Sequence, residues 1–307
     1  MSFLNLKSVP DIDFMGRRLF VFGISGFMVV LVILGFIVRG FPYGVDFKGG
    51  VIVEMRAPNA PSLGAIRSNL SEFLSDASVQ ELDTASDYLV RFDGRAFEAD
   101  KDGTLNDVRA AFGKGSAVRR LESVGPKVSD ELLKSGFYAV VLALLAMLLY
   151  IWVRFEWLYG LAALCALLHD CVAVLGLYAL GRIEFNETAI VAILITASYS
   201  INDTVVVFDR VRENKVRYGS MPMKALLNLS VNETLSRTLL TSLTTLAALF
   251  VLYFFGGPVI SGFSLPILVG LVVGTYSSIC LASPLLLLLN QSFEPSPLVN
   301  QNQKKDH

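Results

Sequence analysis

Six apolar stretches dominate this sequence and limit the folds that it can adopt. An α-helix needs about 20 consecutive apolar residues to cross a bilayer core roughly 30 Å thick. The stretches are nearly free of charge and run over residues 19–38, 136–153, 157–180, 188–208, 238–255 and 263–289. Only 17% of the residues are charged, against roughly a quarter in soluble domains. The sequence therefore predicts a polytopic α-helical membrane protein with six transmembrane helices.

The first stretch, Leu19 to Val38, has a signal peptide as its rival interpretation. A signal peptide has an apolar core of about 7 to 15 residues and ends in a small-residue cleavage site. This stretch is longer, follows the polar segment 1–18, and is not followed by such a site. We therefore interpret it as transmembrane helix 1, which stays attached.

Lysine and arginine are distributed unevenly between the two sets of loops, and loops rich in them stay cytoplasmic. One set carries Lys7, Arg17, Arg18, Arg154, Arg210, Arg212, Lys215, Arg217 and Lys224. The other set has only Arg39 and Arg182 in comparable positions. Both termini, including the tail 291–307, are therefore predicted to be cytoplasmic, and residues 39–135 are predicted to face outward.

The one long connection, residues 39–135, has the pattern of a small α+β domain. Alternating β-forming residues predict strands, and apolar residues at helical spacing predict helices. The predicted elements are a strand over 50–56, a helix over 62–74, strands over 78–82 and 88–92, a helix over 105–112 and a strand over 117–124. This β-α-β-β-α-β order is typical of a ferredoxin-like domain. The domain lacks His and Cys, and we interpret its scattered acidic residues as solvated, so binding is expected of it rather than catalysis.

The third span carries two ionisable residues, His169 and Asp170, at its middle. A charged side chain at the centre of a spanning helix costs roughly 2.5 to 3.5 kcal/mol on insertion scales, so it needs a reason to be there. One reason is a proton relay, because His titrates near neutral pH. The other is hydrogen bonding that holds neighbouring helices together. The sequence leaves both open.

The fourth span carries Asp203 between Asn202 and Thr204, about two helical turns before the predicted end of the span at Phe208. An aspartate side chain is too short to reach the membrane surface from there. A site for a proton or another ion is therefore favoured over a purely structural role.

Arg237 directly precedes the fifth span. An arginine at the cytoplasmic end of a helix also serves as a topology anchor. Antiparallel neighbouring helices would, however, bring Arg237 toward Asp203. We therefore predict an Asp203–Arg237 pair beside the anchor interpretation.

The last span repeats small residues every four positions, at Gly270, Gly274 and Ser278. Small residues let helix backbones approach closely in membranes. The spacing therefore predicts a tight helix contact along this face.

Several classes of function find no support in the sequence. A net charge of −1 gives no general affinity for nucleic acid. Cys165, Cys171 and Cys280 all fall within predicted spans, so neither a disulfide nor a metal framework is expected. No phosphate-binding glycine loop, nucleophile elbow or metal-spaced cluster is found, so neither a hydrolytic enzyme nor a bound cofactor is expected.

The motifs of the fourth and fifth spans resemble those of a known family. Residues 199–214 (YSINDTVVVFDRVREN) and 235–245 (LSRTLLTSLTT) are similar to motifs of the SecF subunit family of the bacterial SecDF protein translocase, in the resistance, nodulation and division superfamily. Supporting matches are VDFKGG at 45–50, VGP at 124–126, RFEW at 154–157, His169-Asp170 and GTYSS at 274–278. Ser198 stands where a glycine is expected, which bears on the tightness of one helix contact, and Lys48 stands where threonine is commoner.

The resemblance implies a bacterial inner-membrane location with residues 39–135 in the periplasm. It implies pairing with SecD, work with the SecYEG channel and other Sec accessory subunits, and unfolded preprotein as the substrate. It also implies use of the proton-motive force, with protons as the coupling ion and no cofactor. In the family, the residues that match Asp203 and Arg237 are tied to proton passage; His169, Asp170 and Asn202 are our further candidates.

The mechanism we predict is an alternation of Asp203 between a charged form paired with Arg237 and a protonated form that releases it. One alternative is half of a proton-driven exporter of small molecules or lipids, although such pumps usually carry two six-helix halves in one chain. The other is a scaffold of the translocon without proton chemistry. The buried Asp203 and the His169-Asp170 pair weigh against the scaffold, because a scaffold could use residues that are less costly to place in a membrane span.

Overall fold

A computed structural model of the chain describes residues 11–74, 77–82, 86–181 and 183–293. Of the predicted terminal segments, residues 1–10 and 294–307 lie outside the described residues, and so does Arg182. The chain divides into two compact units. The first, which we name the inserted domain, comprises residues 43–138 and 184–187. The second, the membrane unit, contains the remaining described residues.

The inserted domain has the predicted ferredoxin-like fold. Its elements are helix α2 (Val45–Lys48), strand β1 (Gly50–Arg56), helix α3 (Leu63–Ser71), strands β2 (Ser78–Glu81) and β3 (Asp87–Phe92), helices α4 (Gly94–Ala99) and α5 (Lys101–Phe112), and strand β4 (Ala117–Val124). The antiparallel sheet has the order β2-β3-β1-β4. Helices α2 and α4, which have four and six residues, are additions to the prediction.

The core of this domain follows from the alternation along β1. Val51, Val53 and Met55 are fully buried on one face of the sheet, because successive side chains of a strand point to opposite faces. Ile66 and Leu70 of α3 and Val108 and Phe112 of α5 belong to the same apolar cluster. The period-2 and helical patterns of the sequence therefore meet in a single core.

Asp87 corrects the prediction that all acidic residues of the domain are solvated. Its side chain is 2% exposed and accepts hydrogen bonds from Arg56 at 2.9 Å and from Arg119 at 2.9 Å. A buried carboxylate needs such partners, since an unpaired buried charge is strongly destabilising. The pair also raises the pKa of the Arg56 guanidinium through its hydrogen bond to Asp87.

Six helices in the described chain are long and apolar enough to cross a membrane, as predicted. They are α1 (Arg18–Arg39), α6 (Pro126–Arg154), α7 (Trp157–Gly181), α8 (Glu187–Arg217), α9 (Met223–Phe255) and a sixth of three segments: α10 (Gly257–Tyr276), a π-helical segment (Ser277–Leu281) and α11 (Ala282–Phe293). Several extend beyond the apolar stretches, because a helix continues through polar residues once it leaves the bilayer. Arg237 therefore lies inside α9 and not at its start.

The spanning helices differ in how much of their surface the chain itself covers. The buried share is 61% for the most apolar part of α7, but 6% for α6 and 17% for α9. Helix α7 is therefore central to the bundle. Helices α6 and α9 leave most of their apolar surface for lipid or for other protein.

Candidate functional site

Asp170, on α7, lies at the centre of a polar cluster inside the membrane unit. Its side chain is fully buried, and it accepts hydrogen bonds from the hydroxyls of Ser200 at 2.5 Å and Ser277 at 2.6 Å. His169 Nδ1 lies 2.9 Å from the other carboxylate oxygen. Both hydroxyl distances lie at the short end of the range for O–H···O hydrogen bonds. Asp170 therefore joins three spanning helices: its own, α8 through Ser200, and the sixth through Ser277.

Small residues make this junction possible. A Cβ atom added at Gly274 would lie 3.2 Å from Ser200 Cβ and 3.7 Å from an Asp170 oxygen. One added at Gly270 would collide with Thr196 of α8. The sixth span changes from α-helix to π-helix at Ser277, and such π segments are frequent at functional sites. Gly270 and Gly274 thus lie in a close contact with α8, as their spacing predicts, and Ser278 is fully buried.

Asp203, on α8, is one turn further along the helix than Ser200. It is 7% exposed, and the hydrogen bond found for its carboxylate comes from the Ser242 hydroxyl of α9 at 3.3 Å. Ser242 in turn accepts a hydrogen bond from Thr275 at 2.7 Å. Asp203 is therefore buried in the bundle with a single long hydrogen bond among the described residues.

The two carboxylates occupy neighbouring positions in one polar layer of the bundle. Ser200 and Asp203 belong to α8, while Thr275 and Ser277 belong to the sixth span. Each carboxylate therefore connects α8 to the sixth span, Asp170 directly and Asp203 through Ser242 of α9. A change at either group bears on the packing of the same two helices.

The predicted Asp203–Arg237 ion pair is not formed within the described part of the chain. Arg237 is exposed and lines a cavity of about 480 Å³ together with Glu233, Asp209 and Arg210. The predicted ion pair is therefore absent in this structure, where the Arg237 side chain lies in a polar cavity beside the acidic Glu233.

Asn202 and Ser198 are on the exposed side of α8. The Ser198 hydroxyl donates to the Leu194 carbonyl of its own helix at 2.8 Å. Ser198 is therefore not part of the packing inside this chain, contrary to the prediction. Exposed polar residues within a span are costly in lipid, so this face of α8 is suited to contact with other protein.

His169 and Tyr276 extend the Asp170 cluster toward α1. Their ring centroids are 6.4 Å apart, and the Tyr276 hydroxyl lies 3.2 Å from Ser25 Oγ of α1. His169 Nε2 is buried and has no hydrogen-bond partner among the residues that the structure describes. A buried imidazole nitrogen of this kind is available to a proton or to a water molecule.

A second polar network, missed by sequence reasoning, joins the extensions of α8 and α9. Glu233 accepts hydrogen bonds from Arg210 at 2.6 Å and from Asn214 at 2.6 Å, and Asn214 also donates to Ser230. Sequence reasoning used Arg210 as one of the basic residues that set the orientation. The signal that could have revealed the network is the spacing of Arg210 and Asn214, which lie one turn apart on the same helix face. In the structure, Asn214 is fully buried.

The N-terminal segment packs against the same extension of α9. The side-chain nitrogen of Asn228 donates to the Asp13 carboxylate at 2.7 Å. The side-chain oxygen of Asn228 accepts a hydrogen bond from the Met15 N–H at 3.0 Å. The Asn228 hydrogen bond and the Gly16 N–H lower the pKa of Asp13. The predicted N-terminal segment is thus fixed to the bundle, at least from residue 11 onward.

No group of three His, Cys, Asp or Glu residues in the described ranges could hold a metal ion. The polar groups of the Asp170 and Asp203 sites are carboxylates, hydroxyls and an imidazole. These groups can bind, hold and pass a proton.

Comparisons with known proteins agree with this architecture. The profile of the family described as "Protein export membrane protein SecD/SecF, C-terminal" matches residues 104–292, and the "SecD/SecF GG Motif" profile matches residues 35–57. The protein translocase subunit SecF of Desulfurispirillum indicum is 42% identical over 90% of this chain and 91% of its own length.

Two relatives are longer. The translocase subunit SecDF of Brucella abortus is 41% identical over 92% of this chain, which spans 38% of that protein. The crystal structure of SecDF from Thermus thermophilus, described as a translocon-associated membrane protein, superposes with a TM-score of 0.80 at 34% identity. That match covers 95% of this chain and 40% of the solved chain. This chain thus corresponds to one part of the fused proteins.

Six spanning helices, one ferredoxin-like insertion and carboxylates buried in the bundle define a multi-pass protein-export membrane protein of the SecD/SecF class. Within that class the full-length matches are to one subunit. The chain belongs to the SecF family of protein translocase subunits, which reside in the inner membrane and take part in protein export.

Proposed function

We propose that this chain acts with SecD to couple the proton-motive force to late stages of protein translocation, with Asp203 as the group that takes up and releases the proton. The observation that carries the proposal is the environment of Asp203, which is buried in the bundle with a single hydrogen bond of 3.3 Å. Ionisable residues buried in spans mark ion and proton pathways more often than not. Protons are the coupling ion, and no cofactor or hydrolytic chemistry is required.

In this mechanism, Asp203 and Arg237 pair in one state and separate in the other. In the proposed separated state, Arg237 lines the polar cavity with Glu233, as it does in this structure. A proton that crosses the membrane releases about 2.3 kcal/mol for each 100 mV of potential. About 1.4 kcal/mol is a factor of ten in an equilibrium constant. At a potential of about 100 mV, one proton can therefore shift the equilibrium between two helix packings by roughly 40-fold. His169, Asp170 and Asn202 are proposed to complete the pathway.

The partner surface is the exposed polar side of α8 and α9. Asn202 and Ser198 of α8 and Arg237, Thr241 and Thr244 of α9 are exposed in this chain. Such residues are rarely exposed to lipid. We propose that SecD covers them, and the SecDF relatives, which contain this region and more in one chain, support this pairing.

We further propose cytoplasmic termini, a periplasmic inserted domain, and contact with SecYEG, other Sec accessory subunits and unfolded preprotein. The excess of lysine and arginine in one set of loops supports this orientation. The edge strands β2 and β4 of the sheet offer unpaired backbone groups, which can bind an extended polypeptide without a particular sequence.

The test is export in inverted membrane vesicles with and without a proton gradient. The Asp203→Asn variant is expected to assemble with SecD normally and to lose the stimulation of export by the gradient. Asp102→Asn, the same substitution at an exposed position of α5, is the matched control and is expected to keep it. Stimulation that survives Asp203→Asn would refute the proton role and leave the scaffold as the better description.

A further inference from the structure

The short segment that leads into α8, residues 184–187, belongs structurally to the inserted domain. We propose that it is the link through which α8 moves this domain, and that Glu184 and Arg91 are the residues that position it. The inference rests on the proposed function, because α8 also carries Asp203. It assigns a transmitting element to the span in which the proton is bound.

Glu184 forms an ion pair with Arg91, which is near the end of β3. Arg91 pairs with Ile52 of β1 and Ser78 of β2, so it stands in the interior of the sheet. Its neighbours Val90 and Phe92 are in the apolar core, and Arg91 therefore points to the opposite sheet face. The segment is thereby held by a residue of the sheet itself and not by a loop.

Phe185 fits into the turn that precedes β1. Its carbonyl accepts a hydrogen bond from the Gly44 N–H at 2.7 Å, and it forms a parallel bridge with Tyr43. Its ring is 5.6 Å from that of Phe47, and the residue is 8% exposed. A Cβ atom at Gly44 would lie 3.0 Å from the Phe185 carbonyl oxygen, so a glycine is needed for this close approach.

Asp46 fixes the start of α8. Its carboxylate accepts a hydrogen bond from the N–H of Glu187, the first residue of that helix, at 3.2 Å. A carboxylate at a helix N-terminus satisfies a free N–H and interacts favourably with the helix dipole. Asp46 thus joins the turn before β1 to the first turn of the spanning helix.

The two glycines after α2 shape this turn. Gly49 has φ 74° and Gly50 has φ 137°, values that other residues rarely adopt. A Cβ atom at Gly50 would also lie 2.9 Å from the Phe92 carbonyl oxygen. These glycines fall within the matched GG motif. The motif therefore has a physical role in this chain: it builds the socket, residues 43–47, that holds segment 184–187.

The Glu184–Arg91 pair offsets the burial of a carboxylate. Burial raises the pKa of Glu184, and the Arg91 guanidinium opposes this shift. Loss of either residue leaves the other charge without this partner at the sheet, which suits the pair to a positioning role.

The remaining step is the connection between Asp203 and segment 184–187 through the continuous backbone of α8. Asp203 lies on the same helix as Glu187, roughly four turns further along. A helix is stiff over that length, so a shift of α8 displaces its first residue. Because Glu187 and Glu184 are held in the socket, the inserted domain is drawn along.

The first test is a charge swap, measured as gradient-dependent export in vesicles together with the assembly of the complex. Arg91→Glu and Glu184→Arg are each expected to reduce the gradient-dependent stimulation about fivefold, near the lower end of measured coupling strengths. The double variant is expected to restore it. Arg109→Glu, the same reversal of charge at an exposed position of α5 in the same domain, is the matched control and is expected to have no effect.

The second test asks whether the segment and the domain move as one body. In a background without Cys165, Cys171 and Cys280, cysteines at positions 91 and 184 are joined by a short reagent that a reductant cleaves. The two cysteines remove the ion pair, so the variant without the cross-link is expected to show the weakened stimulation of the single swaps. The cross-link is expected to restore stimulation, because the two positions keep their separation during the cycle. Loss of export that the reductant reverses would overturn the link.

The outcomes separate this inference from the proposed function. If Asp203→Asn abolishes stimulation while neither single swap changes it, the proton role stands and the link is wrong. If the single swaps impair export and the double variant rescues it while Asp203→Asn has no effect, the link stands and the proton role of Asp203 is wrong.

Discussion

Asp170 and Asp203 are two carboxylates in one polar layer of the bundle, and their surroundings differ. Asp170 is fully buried and contacts two hydroxyls and an imidazole at 2.5 to 2.9 Å. Asp203 has one hydroxyl at 3.3 Å. A carboxylate with several short bonds has a fixed geometry, whereas one with a single long bond can change its partner at little cost. Asp170 therefore holds helices together, and Asp203 is the better candidate for the group that takes up and releases the proton.

Removal of the Asp170 side chain is the largest change that this comparison predicts. Asp170→Ala leaves Ser200 and His169 without their buried partner, and each such group costs about 1 to 3 kcal/mol. We expect the free energy of unfolding in detergent to fall by about 3 kcal/mol, while Asp203→Ala changes it much less. Equal stability of the two variants would contradict the difference that we infer between Asp170 and Asp203.

The two serines that donate to the carboxylates allow a matched comparison. Ser200→Ala removes a 2.5 Å bond to a fully buried carboxylate, and Ser242→Ala removes a 3.3 Å bond. We expect losses of about 2 kcal/mol for Ser200→Ala and about 0.5 kcal/mol for Ser242→Ala, because a short hydrogen bond to a fully buried group contributes more than a long one. Thermal unfolding of the purified variants measures both. A larger loss for Ser242→Ala would reverse our assignment of the two sites.

The helix contact beside Asp170 can be probed with glycines. Gly270→Ala pushes a methyl group into Thr196, and overpacking of this kind typically costs about 1 to 3 kcal/mol. Gly262 belongs to the same span and has open space around it, so Gly262→Ala is the control and is expected to be neutral or slightly stabilising. Similar unfolding temperatures for both variants would show that the α8 contact is loose.

The smallest predicted effect concerns Asp13, a carboxylate whose surroundings differ from those of Asp170 and Asp203. Its pKa is lowered by the Asn228 amide and the Gly16 N–H, so the charged form stabilises the N-terminal segment. This contribution is present above the ordinary pKa of 3.8 and is lost as the pH falls through the lowered value. The protection factors of the amides around Met15, which correct for the intrinsic pH dependence of hydrogen exchange, should therefore fall only in acid. Asp13→Asn should remove that pH dependence, and a dependence that persists would assign it to another group.

Much of the fold could be predicted from the sequence, because two strong patterns specify it. Uncharged stretches gave the six spans, and the limits of β1 and β4 agree with the alternation of residues 50–56 and 117–124. Helix α4 was missed because six residues carry little periodic signal, although Asp93 caps it through the Arg95 N–H. Helices α6 and α9 begin before the apolar stretches 136–153 and 238–255, because hydropathy reports the bilayer and not the helix.

The site was predictable only in part. Single ionisable residues in apolar spans are visible in a sequence, and this is how Asp170 and Asp203 were found. Their partners are serines and threonines, which are common in spans. The sequence does not indicate which helix such a residue faces. The Arg237 pairing failed because position along α9 does not reveal the direction of a side chain. The docking of residues 184–187 depends on contacts between segments far apart in sequence, which no local pattern encodes.

Infrared difference spectroscopy tests the central claim most directly. The chain is purified with SecD, placed in lipid vesicles, and compared across the range of pH that the cell meets. A band of a protonated carboxyl group in an apolar environment is expected to change with pH in the wild type and in Asp102→Asn, and to be absent in Asp203→Asn. A band that remains unchanged in Asp203→Asn would contradict the account, because the proton would then reside on another group.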